Sequence, residues 1–441
     1  MDITLRPARI CGTIDIPGSK SHTIRALLIA LFANGVSTLH NALDSQDTQA
    51  CIELCRRLGA RITFKTDIPV PTLVIDSTAI ASEKEEITID CANSGTTLYL
   101  ASAMCAAGCT SKSIRFSGDE QLLKRPIEPL LESLRDLGAT IEPKDSTTIP
   151  FTIHGPLDGG RTSIECRTSQ YLSALLLACP MAQSDSTIEV PLLNEKPYVR
   201  MTQYWLGKQK MDYSYNDELS LFHIKGNQHY KPFTECIGGD YSSATFFFCA
   251  AAMTGGTITV NGLDRSDPQG DKATLSILEK MGCTVEWKGN GVSLKGPQKL
   301  KAGMFDLNDT PDALPALAIA SCFADGEVKL YNVKQARLKE TDRIATMAHC
   351  INELGGSAVE LDDGLEIHPV ESFTAKEIDG FNDHRIAMSM ALASLRSAGS
   401  LTIRGAQAAA VTFPTFFELL AKVSISNEEG PKISLNSKTS V

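Results

Sequence analysis

The stretch Arg337-Leu-Lys-Glu-Thr-Asp-Arg343 gathers three cations and two carboxylates into seven residues. On a helix, Lys339 and Arg343 stand four apart and Glu340 and Arg343 three apart, so two cations and a carboxylate would share one face. A solvated, salt-bridged helix carries the same pattern. The apolar series Ile344, Met347, Cys350, Ile351 and Leu354 follows at once, however, and bunches the charges at one end of the element. Asn382-Asp-His-Arg385 likewise sets an arginine at the start of an apolar helix. Cations placed there add to the free N–H groups and partial positive charge of a helix N-terminus, a combination that suits phosphate and carboxylate ligands.

The same arrangement recurs along the chain as a polar loop followed by a helix of small apolar residues. Pro17-Gly-Ser-Lys-Ser precedes Arg25-Ala-Leu-Leu-Ile-Ala, and Asn93-Ser-Gly-Thr-Thr precedes Leu98-Tyr-Leu-Ala-Ser-Ala. Thr168-Ser-Gln, Gly239-Asp-Tyr-Ser-Ser and Asp383-His-Arg open three further helices. Taken singly, each loop is an ordinary N-cap of Ser, Thr, Asn or Asp. Together they describe many helix N-termini able to hold anions.

A second signal repeats between these loops: a helix ending in Leu-Gly or Met-Gly that runs on into a strand. It reads Leu58-Gly59, Leu137-Gly138, Met281-Gly282 and Leu354-Gly355, with a weaker copy at Leu206-Gly207, and the successive intervals are 79, 69, 75 and 73 residues. Each glycine is expected at C′, where positive φ carries no Cβ penalty. A sixth helix, Phe416–Val423, falls near the place for one more. Six α/β units of about 74 residues, three per domain, fit this spacing.

Bulk properties bound the function. At 441 residues the chain exceeds a single core, so two domains of about 200 residues are expected. The 43% hydrophobic and 21% charged composition excludes a fibrous or wholly disordered chain. A net charge of −10 argues against nucleic-acid or anionic-membrane partners but leaves small anionic substrates open. Thirteen cysteines include no C-x-x-C pair and no zinc spacing, and are expected as buried free thiols of a reducing, cytoplasmic protein. No signal or transit segment is expected before the first loop, and stretches such as Leu27–Ala33 and Ala174–Cys179 are too short to span a bilayer. The polar segment 424–441 lacks periodicity and is expected to be disordered.

Read in order, Pro17-Gly-Ser-Lys-Ser-His-Thr-Ile-Arg25, Asn93-Ser-Gly-Thr96, Gly118–Pro126, Thr168-Ser-Gln170, Gly239–Ala244, Thr310-Pro-Asp312, Leu338–Arg343 and Asp383-His-Arg385 resemble the motifs of the 5-enolpyruvylshikimate-3-phosphate synthase family of enolpyruvyl transferases. The resemblance covers residues 1 to about 423. It implies an α/β fold of two domains, an inverse α/β barrel built from six βαβαββ repeats with a ligand cleft between the domains. The domains would comprise residues 1–19 with 239–423, and residues 20–238.

The implied reaction transfers the enolpyruvyl group of phosphoenolpyruvate to the 5-hydroxyl of shikimate 3-phosphate and releases phosphate, in a monomer that needs no metal or organic cofactor. By this resemblance Asp312 and Glu340 form the acid/base pair and Lys20 bridges both ligands. Lys20, Ser21, Arg25, Thr168, Ser169, Gln170, Tyr198, Asp312 and Lys339 match the shikimate 3-phosphate site. Lys20, Gly95, Arg125, Gln170, Arg343 and Arg385 match the phosphoenolpyruvate site.

Ser21 after Lys20, and a Gly118–Pro126 loop without cysteine, separate the chain from the sister family that acts on a UDP-sugar. Three positions depart from the resemblance. A lysine is replaced by Val411, an arginine by Tyr99, and a serine of the phosphate site by Glu195. One charge-assisted contact contributes about 1.5–3 kcal/mol, so the change at Val411 alone would weaken binding by about 10- to 150-fold. A carboxylate at Glu195 repels phosphate unless paired, and Arg167 or Arg200 are the candidate partners. A diverged transferase using a related cyclic acceptor, and a non-catalytic paralogue that only binds the ligands, remain alternatives.

Overall fold

Six small sheets repeat one topology. In the sheet Glu86–Asp90, Ser113–Ser117, Phe151–His154, Thr140–Glu142, the first pair is parallel and the other two pairs are antiparallel. In chain order this is βαβαββ: Glu86–Asp90, a buried helix, Ser113–Ser117, a half-exposed helix, then Thr140–Glu142 and Phe151–His154. The other five sheets keep the same spatial order, one with a fifth strand at its edge, although three of them draw strands from distant parts of the chain. All six are open among the described residues. The computed structural model describes residues 1–78, 86–109, 113–425 and 434–436.

The chain divides into two compact units, Met1–Pro17 with Gly239–Val441, and Gly18–Gly238. Strand sharing shows why each unit is complete despite two crossings. Arg9–Asp15 is the first strand of a repeat whose remaining elements begin only at Tyr241, and it pairs in parallel with Thr257–Asn261. Conversely Thr234–Cys236, the last strand before the return crossing, supplies the missing parallel partner of Val36–His40. Asp2–Leu5 completes the sixth sheet against Leu401–Arg404.

Each repeat carries one helix that is buried almost all round: α1 (Lys20–Leu31), α2 (Gly95–Gly108), α3 (Ser169–Ala178), α4 (Tyr241–Thr254), α5 (Leu314–Ser321) and α6 (His384–Ser394). Their sequences are apolar on every face, so they belong in a core rather than at its edge. In one unit α2 packs on both α1 and α3; in the other, α4, α5 and α6 pack on one another. Each unit thus has its own hydrophobic core.

The second helix of each repeat is amphipathic. Gly59, Gly138, Gly282 and Gly355 sit just beyond four of them with φ of 106°, 106°, 97° and 81°, the left-handed ends that the Leu-Gly signal marks. Gly207 is a correction: it lies inside helix Lys196–Lys208, and Lys210 takes the positive φ of 56° instead. With Lys210 as the marker, the steps from 138 to 210 and from 210 to 282 are both 72 residues. The repeat is more regular than its glycines.

Two further expectations change. Ser424–Ile425 pairs antiparallel with Arg9–Ile10, and Ser434–Asn436 pairs antiparallel with Asp2–Thr4, so these parts of the expected disordered tail are strands. Sheet pairing uses main-chain groups at an open edge and needs no side-chain periodicity; residues 426–433 and 437–441 lie outside the described residues. All thirteen cysteines are free, but Cys11 and Cys236 are exposed rather than buried. No helix among the described residues is long and apolar enough to cross a membrane.

Candidate active site

The starts of the six buried helices carry many of the expected site residues, and side-chain caps fix four of these starts; Arg125, Tyr198, Lys339, Glu340 and Arg343 lie on other segments. Ser94, Thr168, Asp240 and Asp383 each accept a backbone N–H of their own helix through the side chain. Two clusters of polar groups result, one in each unit.

In the unit containing α4, α5 and α6, Arg343 is the hub. It is 1% exposed and donates through Nη1 to Asp312 Oδ1 at 2.9 Å, through Nε to Asp383 Oδ2 at 2.9 Å, and through Nη2 to Asp383 Oδ1 at 3.1 Å. Nη2 also donates to Glu340 Oε2. Arg385 Nη2 reaches Asp312 Oδ2 at 3.2 Å and Ser242 Oγ at 2.6 Å, and Lys339 Nζ lies 3.7 Å from Asp312 Oδ1. Asp312, Lys339, Glu340, Arg343 and Arg385 therefore form one network.

The single-helix arrangement expected for Lys339, Glu340 and Arg343 is corrected. The helix begins at Arg343, because Asp342 caps it by accepting from Ala345 N, and Lys339 and Glu340 lie in the preceding loop. Arg337 turns away to Asp342 and Glu360. The loop lets Glu340 fold back onto its own helix start, where the guanidinium awaits it.

The charges tune one another. Burial pushes the Asp312 carboxyl up, but Arg385, Lys339 and Arg343 outweigh it and hold the group far below the usual carboxylate range, against an opposing push from Glu340. Burial also opposes ionisation of Asp383, and Arg343 overcomes it. For Arg343 itself, burial lowers the pKa while Asp383, Glu340 and Asp312 raise it further. His384, 2% exposed with no hydrogen-bond partner on either ring nitrogen among the described residues, is pushed down to about 3, mainly by burial.

Glu340, Asp383 and His384 offer ligand atoms within 4.8 Å of one another, a donor set that could hold a metal ion. Arg343 already bonds both carboxylates and supplies the positive charge a metal would bring.

The other unit holds a looser set. Lys20, first residue of α1, donates to Asp47 Oδ2 at 2.9 Å. Arg25 is 1% exposed and donates to Thr202 Oγ1 at 2.9 Å, the Ser21 carbonyl at 3.1 Å, Ser173 Oγ at 3.3 Å and the Tyr198 carbonyl at 3.4 Å. Burial pushes it down to about 10.

Gly95 opens α2 against Arg125: a Cβ there would fall 2.5 Å from Arg125 Nη1. Arg125 donates to Asn93 Oδ1 at 3.2 Å. Tyr99 and Tyr171 both donate to the carbonyl of Pro126, the next residue, at 3.2 and 2.6 Å. Tyr99, where the resemblance has an arginine, thus pins the chain beside Arg125.

Thr168, Ser169 and Gln170 open α3, and the Glu195 carboxylate lies on them. Its Oε2 accepts from Ser169 Oγ at 2.7 Å, Ser169 N at 3.1 Å and Thr168 Oγ1 at 3.3 Å. Of the two expected partners, Arg200 instead bonds Gln203 and stacks over Tyr215. Val411 ends the short helix Ala406–Val411, which packs on α6 in the other unit.

Sequence reasoning assigned no role to Asp47, Ser242, Asp383 or His384. The last three stand inside quoted motifs, where an N-cap or a charge beside Arg385 was the available signal. Asp47 has only the signature of an acidic first-turn residue, and nothing in the sequence ties it to a lysine 27 positions away.

Comparison with known proteins shows the family. Residues 5–420 match the family model described as EPSP synthase (3-phosphoshikimate 1-carboxyvinyltransferase). The 3-phosphoshikimate 1-carboxyvinyltransferase of Acetivibrio thermocellus is 43% identical over 96% of this chain and 98% of its own length. That of Ruminiclostridium cellulolyticum is 42% identical over 95% of this chain and 97% of its own. The solved EPSP synthase of Acinetobacter baumannii superposes with a TM-score of 0.79 at 26% identity, covering 98% of this chain and 99% of that one.

Proposed function

We infer the roles of individual side chains from one premise: this chain belongs to the EPSP synthase family and carries out its reaction. It transfers the enolpyruvyl group of phosphoenolpyruvate to the 5-hydroxyl of shikimate 3-phosphate and releases phosphate, a step of aromatic amino-acid biosynthesis. The chemistry removes a hydroxyl proton, protonates a vinyl carbon and stabilises several anionic groups.

Asp312 and Glu340 are the acid/base pair. The observation that carries this reading is that one guanidinium, Arg343, bonds both carboxylates. Held so far below the usual range, Asp312 is a weak base while Lys339, Arg343 and Arg385 surround it. An incoming anion draws on the same three cations, relieves Asp312 of part of their field and raises its basicity. Asp312 serves the acceptor hydroxyl and Glu340 the vinyl carbon. The family resemblance assigns Arg343 and Arg385 of one unit, and Gly95, Arg125 and Gln170 of the other, to phosphoenolpyruvate. Ser21, Arg25, Thr168, Ser169, Gln170, Tyr198 and Lys339 hold shikimate 3-phosphate, and Lys20, oriented by Asp47, touches both ligands.

Thirteen free thiols fit a reducing compartment such as the cytoplasm, where the chain would act as a monomer. The test is release of inorganic phosphate from shikimate 3-phosphate plus phosphoenolpyruvate, with each omitted in turn. Release that needs both supports the reading; no release from the pair overturns it.

A further inference from the structure

Glu195 is the N-cap residue of helix Lys196–Lys208, yet its side chain does not cap that helix. Its backbone is left-handed, φ 57° and ψ 43°, a conformation that a β-carbon makes unfavourable and that persists only where its surroundings impose it. Pro197 follows at the start of the helix. The result is that the carboxylate turns back onto the start of α3 and is 2% exposed there.

The donors it engages are the Thr168 hydroxyl, the Ser169 hydroxyl and the Ser169 N–H. These are the groups that the reading above gives to the acceptor's phosphate, and the present inference rests on that reading. Hydroxyls beside a helix N-terminus are an anion site, and here the anion in residence belongs to the chain. A phosphate dianion cannot share those donors with a carboxylate: both accept only, and their like charges repel at this separation.

We propose that Glu195 is the specificity-determining residue of the acceptor site, a resident carboxylate that competes with the acceptor's phosphate for Thr168 and Ser169. The phosphate ester binds as Glu195 turns out of its place, and the work of displacing it appears as weaker acceptor binding. Arg25, held through the Tyr198 carbonyl three residues beyond Glu195, remains in position when the carboxylate leaves.

The test compares the wild-type protein with Glu195→Ser and Glu195→Gln in steady-state kinetics. Glu195→Ser is expected to lower KM for shikimate 3-phosphate about tenfold or more, the scale of one charge-assisted contact. Glu195→Gln, which removes the charge but keeps the bulk, is expected to fall between. KM for phosphoenolpyruvate should move much less in both. Inorganic phosphate should raise the melting temperature of Glu195→Ser more than that of the wild type, a readout independent of turnover.

The Thr168→Ala/Ser169→Ala pair separates the inference from its premise. If that variant leaves KM for shikimate 3-phosphate unchanged, the phosphate does not bind at α3 and the site reading fails. If that variant raises KM while neither Glu195 substitution lowers it, the site reading stands and the competition is overturned.

Discussion

Arg25 and Arg343 are equally buried, each 1% exposed, and their environments push them in opposite directions. Burial among neutral acceptors, two hydroxyls and two carbonyls, brings Arg25 down to about 10. Three carboxylates around Arg343 more than cancel the same desolvation and raise it. Buried carboxylates divide the same way: Asp383 sits on a guanidinium, whereas Glu195 lies on hydroxyls and an N–H. Around Arg343 one unit therefore holds a charge-matched network, whereas in the other Arg25 lies among neutral acceptors and Glu195 accepts from hydroxyls and an N–H, beside the separate Lys20–Asp47 pair. A matched network fixes carboxylates where chemistry needs them. A buried cation among neutral groups keeps its field for an incoming anion. The division suits acid–base work in the first unit and anion recognition in the second.

Removing the matched carboxylates should have the largest effect. Asp312→Asn and Glu340→Gln are each expected to reduce turnover by at least about 100-fold, within the ~10²–10⁴ range for general acid–base groups. Near wild-type turnover in both would assign the network to structure alone. Asp383→Asn asks how much of the matching is needed to fold. Breaking a buried pair costs about 3–5 kcal/mol, and Arg343 keeps Asp312 and Glu340, so about 3 kcal/mol is expected in denaturant unfolding. A loss below about 1 kcal/mol would show that the remaining two carboxylates suffice.

How far this division was legible depends on which residues carry it. The repeat was readable because Leu-Gly marks a left-handed helix end, and Gly59, Gly138, Gly282 and Gly355 take that conformation. The signal misled at Gly207, since Lys210 adopts the same backbone without a glycine to announce it. Charged motifs pointed to Arg343 and Arg385 because cations bunched at helix starts have few structural uses. Their partners were less visible: Asp383 reads as an N-cap, and its second task of holding Arg343 exists only once α6 and helix Arg343–Glu353 are packed. The pairing of Asp47 with Lys20, and of Glu195 with Thr168 and Ser169, exists only in the tertiary fold and left no local trace.

His384 sharpens the comparison through pH. Its folded pKa of about 3 lies below the ordinary 6.5. Below pH 6.5 the unfolded chain takes up a proton that the folded one refuses, so stability falls as pH drops from 6.5 toward 3. By pH 5 the loss through this group is ~2 kcal/mol. Asp312 and Asp383 are also depressed, but their stabilisation is present above the free carboxyl value of 3.8 and is lost only as pH falls below it. The interval from pH 7 to 5 therefore separates the imidazole from these two carboxyls. His384→Leu should flatten the decline in unfolding free energy across that interval. An unchanged slope would mean that the buried ring takes up its proton at the ordinary pKa.

The smallest expected effect tests whether the matched network has room for one more cation. Val411 stands where the resemblance has a lysine, at the end of a short helix packed on α6, whose first turn carries Arg385. The side chain is half-buried, so a lysine can run its stem along the apolar surface and keep its ammonium in water or on a ligand. Val411→Lys is expected to lower KM for phosphoenolpyruvate about tenfold, the low end of a charge-assisted contact. Asp312, Glu340 and Asp383 offer the new charge an alternative place in the unliganded protein. An ammonium captured there would raise the melting temperature and leave KM unmoved. One buried without a partner would lower the melting temperature instead. Measuring both quantities separates the three outcomes. A lower KM at constant stability would show that the segment reaches the ligand and that the network, though internally balanced, still accepts charge from outside.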